Sequence, residues 1–98
     1  MKAQLIYRER RSLQNGGFIE QVIWKVPQPV PPCEHPYKYR LVYILNSLRV
    51  VGYDNERGKG DHLHFGGREY AYNFLSAEQL IDDFLNDVAR WNNGYCNP

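Results

Sequence analysis

LSAEQLIDDFLNDVARWNNG, residues 75–94, is the stretch on which the fold turns. Ser76 carries the short hydroxyl that caps a helix N-terminus, and Gln79 stands three residues on, at the capping-box position. Leu75 and Leu80 occupy the staple positions that flank such a cap. Ala77, Leu80, Ile81, Phe84, Leu85, Val88 and Trp91 then recur at spacings of three and four, which gathers them into one apolar stripe. Asn92, Asn93 and Gly94 supply the stop. A helix with a single apolar stripe must bury it, and the chain upstream reads as strands. The spacing therefore predicts an α+β fold: an antiparallel β-sheet of about five strands with a C-terminal helix packed on one face.

The strands are read from alternation and turn chemistry. Residues 3–11 form a first strand, with Leu5, Tyr7 and Glu9 on one face and Ile6, Arg8 and Arg10 on the other. Gln14-Asn15-Gly16-Gly17 provides residues that tolerate the positive φ of a hairpin connection. A second strand runs from Phe18 to Val26. Its apolar side is not cleanly defined, because Ile19 and Ile23 compete with Val22 and Trp24. Residues 27–36, PQPVPPCEHP, hold five of the six prolines and read as a stiff, extended connector. Tyr37–Leu45 and Ser47–Tyr53 make a second hairpin around Asn46-Ser47, and Arg68–Phe74 alternates as a further strand. The 98 residues suit one domain spanning 1–98.

Composition limits the partners. With 43% hydrophobic and 14% aromatic residues the chain is expected to fold rather than stay disordered. The net charge of +1 makes no general case for nucleic acid, but its distribution is uneven. The terminal helix carries Glu78, Asp82, Asp83 and Asp87 against Arg90. Removing these from 12 basic and 11 acidic residues leaves 11 and 7, or +4, for the remainder. An anionic ligand should meet the body and avoid the helix. No apolar run approaches membrane-spanning length and no signal-peptide core is visible, so the expectation is a cytoplasmic protein with no membrane partner. Cys33 and Cys96 lack metal-type spacing. They could pair as a disulfide, but no Cys-rich framework argues for it.

The chemistry concentrates in YDNERGKGDHLHFGGR, residues 53–68, which holds two of the three histidines. If Asp61–Phe65 is extended, His62 and His64 share one face, about 7 Å apart at Cα, while Leu63 and Phe65 turn to the other. Paired imidazoles suit acid–base catalysis, one accepting a proton and the other donating one. His-x-His with Asp61 would also make three metal ligands. The structural alternative is two rings that merely hydrogen-bond neighbouring carboxylates. Arg57, Lys59 and Arg68 are suited to phosphate oxygens, or else pair with Asp54, Glu56 and Asp61 within the loop. Gly58-Lys59-Gly60 does not match a nucleotide phosphate loop. Most tyrosines read as packing residues, with Tyr53 set aside as a functional candidate. His35 reads as a surface histidine that the fold could still bring to the site.

Several segments together resemble the TumE family of toxin components: the opening K-A-x-L-I-Y-R, Ile23-Trp24-Lys25-Val26-Pro27, Tyr37-Lys38-Tyr39-Arg40-Leu41, and VGYDNERGKGDHLHFGGRE from Val51 to Glu69. The acidic terminal helix completes the resemblance, which covers nearly the whole chain. Cys33 and the polar tail after Trp91 depart from it. The resemblance implies a small prokaryotic toxin neutralised by an antitoxin, often a helix-turn-helix DNA-binding protein. It does not by itself fix a mechanism.

Two functions follow as expectations. In the first, the toxin is a metal-independent endoribonuclease that needs no cofactor. His62 and His64 divide base and acid roles, Arg57, Lys59 and Arg68 hold the phosphate, and Asp61 or Glu56 orients an imidazole. Tyr53, Asp54 and Glu56 then serve as orienting or structural support. In the second, the chain is a non-enzymatic module that docks a partner through its polar loop and the acidic helix face, with Asp82, Asp83 and Asp87 decisive. Homo-oligomerisation is open in both, and so is a divalent metal at Asp61, His62 and His64.

Overall fold

The computed structural model describes residues 2–94. Cys96 lies outside them, and with it the question of a disulfide to Cys33. Six strands follow one another: β1 (Gln4–Ser12), β2 (Phe18–Lys25), β3 (Tyr37–Leu45), β4 (Leu48–Glu56), β5 (Gly60–Phe65) and β6 (Arg68–Ala71). Each pairs antiparallel with the next, so the order in the sheet is the order in the chain. The helix α1 (Ala77–Asn92) follows and lies over β3 and β4. The count is six rather than about five because the polar stretch after Tyr53 is itself paired. β4 runs on to Glu56, Lys59 N–H donates to Glu56 O at 3.0 Å, and β5 starts at Gly60. Gly58 and Gly60 supply positive φ values of 81° and 80°, which ordinary residues resist.

Alternation divides the sheet into two unlike faces. Ile19 and Ile23 of β2, Tyr39, Leu41 and Tyr43 of β3, Val51 and Tyr53 of β4 and Phe65 of β5 are buried with Leu80, Phe84 and Val88 of the helix. The ambiguity in β2 is thereby settled for Ile19 and Ile23, while Trp24 stays 37% exposed. Ser76 caps the helix, its Oγ accepting from Gln79 N–H at 3.0 Å. The staple does not form, for Leu75 is 70% exposed although Leu80 is fully buried. The Gln79 side chain donates to Asp83 at 2.8 Å, along the helix surface.

Tyrosine hydroxyls tie the helix to the sheet. Tyr53 donates to Asp87 Oδ2 at 2.6 Å, Tyr72 to Asp83 Oδ2 at 2.7 Å and Tyr43 to Asn92 Oδ1 at 2.6 Å. Burial, reinforced by the acceptor Asp87, pushes the Tyr53 hydroxyl far above its ordinary pKa. Tyr53 is thus a packing residue with a satisfied polar tip. Two of the helix carboxylates expected to form a recognition surface, Asp83 and Asp87, face the sheet instead, and only Asp82 of the three is exposed.

The proline connector braces the β4–β5 hairpin. Gly58 N–H donates to Pro31 O at 2.8 Å. Pro32 lies so close to Gly60 that an added Cβ would stand 3.3 Å from its Cγ. Val26 N–H closes the connector on Pro36 O at 2.8 Å.

Candidate functional site

The face of the sheet away from the helix carries the site. Register sets its membership: Asp54 is opposite His62, Glu56 opposite Gly60, Gly52 opposite His64 and His64 opposite Glu69. Directly paired residues share a face. Asp54, Glu56, His62, His64 and Glu69 therefore converge from three strands, with Leu63 and Phe65 turned to the core side.

His62 is 4% exposed and its surroundings are polar. Its Nδ1 lies 3.0 Å from Gly60 O. Its Nε2 abuts Asp54 Oδ1, with Glu69 Oε2 at 3.7 Å and Glu56 Oε1 at 3.9 Å. Although His62 Nε2 and Asp54 Oδ1 abut, neither of these buried atoms has a hydrogen-bond partner. His64 stands edge-on to His62, ring centroids 5.4 Å apart, and its Nε2 is 3.3 Å from Glu69 Oε2. Its side chain keeps 19% exposure, so it is the more accessible imidazole. Burial, then the Arg49 guanidinium, hold His64 below the ordinary histidine pKa, against a smaller upward pull from Glu69.

Lys59 reaches back from the turn to Glu69 Oε2 at 2.5 Å. This contact raises the Lys59 pKa and lowers that of Glu69, as expected for an ion pair at the surface. Arg49 enters where sequence reasoning did not look. An irregularity between Tyr43 and Ile44 brings Arg49 opposite Ile44. Its side chain lies across Gly52, where a Cβ would meet Arg49 Cδ at 2.8 Å. A glycine at that point lets the cation approach His64.

Other expected members lie elsewhere. Asp61 faces away from His62 and His64, since residues adjacent in a strand point to opposite faces. It accepts from Tyr39 OH at 2.6 Å and Cys33 Sγ at 3.3 Å, and pairs with His35 Nε2 at 2.9 Å. His35 stacks on Phe74 with centroids 3.8 Å apart, so it joins Asp61 on the helix side and not the histidine pair. Arg68 is opposite Phe65, on the face turned from the histidines, and Arg57 is exposed at the hairpin tip. Glu69, missed as a site residue, was recoverable from the Gly66-Gly67 turn, which sets the β5–β6 register. Asp54, expected as orienting or structural support, is brought opposite His62 by the turn at residues 57–59.

Two groups of side chains have ligand atoms within 4.8 Å of one another: Asp54, His62 and His64 on the open face, and Cys33, His35 and Asp61 on the other. Among the described residues no helix is long and apolar enough to cross a membrane.

A small α+β domain with an imidazole–carboxylate cluster on the bare face of its sheet is the class that fold and site define. The family model described as Toxin TumE matches residues 2–92. The chain belongs to the TumE family of toxins and is the toxin component of a toxin–antitoxin pair, which implies an antitoxin partner. No curated protein and no solved structure matches it.

Proposed function

We propose that this toxin acts as an endoribonuclease and that RNA is cut at the pocket of Asp54, His62, His64 and Glu69. The observation that carries this is the placement of His64: an accessible imidazole, backed by a buried His62–Asp54 pair, with the cations Lys59 and Arg49 at its border. In the ion-free protein His64 takes the proton of a 2′-hydroxyl, whose oxygen then bonds to phosphorus. The 5′ oxygen leaves and takes a proton from solvent. His62 is buried at Nε2 and serves to position His64 rather than to protonate the leaving group. Asp54, expected as orienting support, takes the role that was offered to Asp61 or Glu56, and Lys59 and Arg49 supply positive charge towards the phosphate. Arg68 and Asp61 have no part at this face.

The antitoxin, of helix-turn-helix type by family expectation, would silence the toxin by covering this face. Docking through the acidic helix has less support, because Asp83 and Asp87 are engaged by Tyr72 and Tyr53.

Induced expression without antitoxin tests the proposal, with growth and RNA integrity read together and RNA cleavage measured on purified protein. His64→Ala should lower cleavage by about 10²-fold or more and relieve growth arrest. A folded His64→Ala protein that still arrests growth and degrades RNA refutes the assignment. Growth arrest by the native chain with intact RNA would favour docking.

A further inference from the structure

The pocket has a second property that stands whether or not RNA is the substrate. The Gly60 carbonyl can only accept a hydrogen bond, so His62 Nδ1, 3.0 Å away, carries the ring proton in the neutral form. That tautomer leaves a lone pair at Nε2, in contact with Asp54 Oδ1. A lone pair against a carboxylate oxygen is repulsive. A proton shared between them would make a strong hydrogen bond, yet the two buried atoms abut without one. A cation drawn to both removes the conflict.

His64 supplies the third donor, and the ligand atoms of Asp54, His62 and His64 all lie within 4.8 Å of one another. Around a tetrahedral ion with bonds of about 2.0–2.1 Å, donor atoms stand about 3.3 Å apart, so the abutting His62 Nε2 and Asp54 Oδ1 would part by a small rotation to admit it. The Gly60 carbonyl behind Nδ1 is the outer partner that a metal-bound histidine normally has. Local charge points the same way: Asp54, Glu56 and Glu69 surround His62, and Lys59 pairs with only one of them.

The group on the other face fails the same examination. His35 Nδ1 accepts from Tyr37 N–H at 3.2 Å, which puts the ring proton on Nε2, where it donates to Asp61 at 2.9 Å. Ligation through Nε2 would move that proton to Nδ1 and set two donors against each other. Cys33, His35 and Asp61 already satisfy one another, and with no ion.

We infer that Asp54, His62 and His64 bind one divalent transition-metal ion of the zinc or iron(II) class, with a coordination position left open on the His64 side. Two imidazoles and one carboxylate select such ions over magnesium or calcium, which prefer oxygen donors. If the ribonuclease proposal also holds, an ion held by Asp54, His62 and His64 would supply the proton-accepting chemistry that His64 provides in the ion-free protein.

Titration of the metal-free full-length chain with Co²⁺, followed by visible absorption, tests the site without any activity measurement. One Co²⁺ per chain should bind with a nitrogen–oxygen ligand-field spectrum, Zn²⁺ should displace it and Mg²⁺ should not. Asp54→Asn and His64→Gln should each weaken binding by at least about tenfold, while His35→Gln leaves it unchanged. Absence of Co²⁺ binding, or full binding by folded Asp54→Asn and His64→Gln, overturns the inference. Where those variants do not fold, the native spectrum decides: a thiolate charge-transfer band would place the ion at a cysteine and overturn the inference, and its absence upholds the assigned ligands.

Discussion

Asn55 is the residue whose loss should damage the fold most for its size. It is fully buried at the end of β4, between Asp54 and Glu56. Its Oδ1 accepts from Tyr39 N–H at 3.1 Å and its Nδ2 donates to Tyr37 O at 2.7 Å, with a weaker contact to Cys33 Sγ at 3.7 Å. The side chain thereby satisfies backbone groups at the start of β3. Asn55→Ala strands one buried donor and one buried acceptor. At about 1–3 kcal/mol for each group left unsatisfied, the loss is about 2–6 kcal/mol, with the lower end applying if water enters. That is a large part of the about 5–15 kcal/mol that holds a domain of this size folded. Asn55→Asp separates the two halves: it keeps the acceptor for Tyr39 N–H but sets a second oxygen against Tyr37 O. It should destabilise at neutral pH at least as much as Asn55→Ala, and less in acid, where a protonated carboxyl can donate again. Urea unfolding followed by tryptophan fluorescence measures both, with an unchanged m value as the check that the unfolding reaction is the same. A loss below about 1 kcal/mol for Asn55→Ala would show that β3 does not depend on this side chain, and the reasoning would fall.

Two further perturbations probe the hairpin and the helix. Gly60→Ala meets both a φ of 80° and the Pro32 ring, and should cost about 1–2 kcal/mol in the same unfolding assay while displacing the carbonyl that orients His62. Asp82→Lys, at an exposed position, should leave stability within about 0.5 kcal/mol and toxicity unchanged. Asp87→Ala, which deprives the buried Tyr53 hydroxyl of its acceptor, should cost about 1–3 kcal/mol. Equal behaviour of those two variants would count against the inward-facing role of Asp87.

How legible each element was depends on how local its cause is. The helix was readable because its stripe and its Ser76 cap lie within a few turns of chain. Leu75 failed as a staple because its role depends on where the preceding chain runs. The end of β4 and all of β5 were harder. Asp54-Asn55-Glu56 and the glycines at 58 and 60 carry no hydrophobic alternation, and burial there is achieved by Asn55 and His62 through hydrogen bonds and charge. Within the site, the shared face of His62 and His64 follows from the period of a strand. The same period should have excluded Asp61, which adjacency made attractive. Asp54 and Glu69 become neighbours of the histidines only through register, set by the turns at residues 57–59 and 66–67. Arg49 depends on an irregularity opposite β3 that no local pattern announces.

The two faces of the sheet solve different problems, and the difference supports the proposed site. On the helix side the carboxylates are answered, Asp87 by Tyr53, Asp83 by Tyr72, Asp61 by Tyr39, His35 and Cys33, and Gln21 Oε1 alone of the buried side-chain atoms described there lacks a partner. Such groups brace the fold, and their cost of burial is offset within the chain. On the bare side His62 is nearly as deeply buried, yet what covers it is a set of carboxylates and a second imidazole. Like charges gathered there weaken the fold, and a buried Nε2 facing a buried Oδ1 without a hydrogen bond adds to that cost. A fold that needed only stability would place apolar side chains at 54, 62 and 64, as it does at 51, 53 and 65. Gln21 Oε1 is a lone unanswered atom on the helix face, whereas on the bare face two such atoms, His62 Nε2 and Asp54 Oδ1, meet at one point beside His64, and that concentration supports the proposed site.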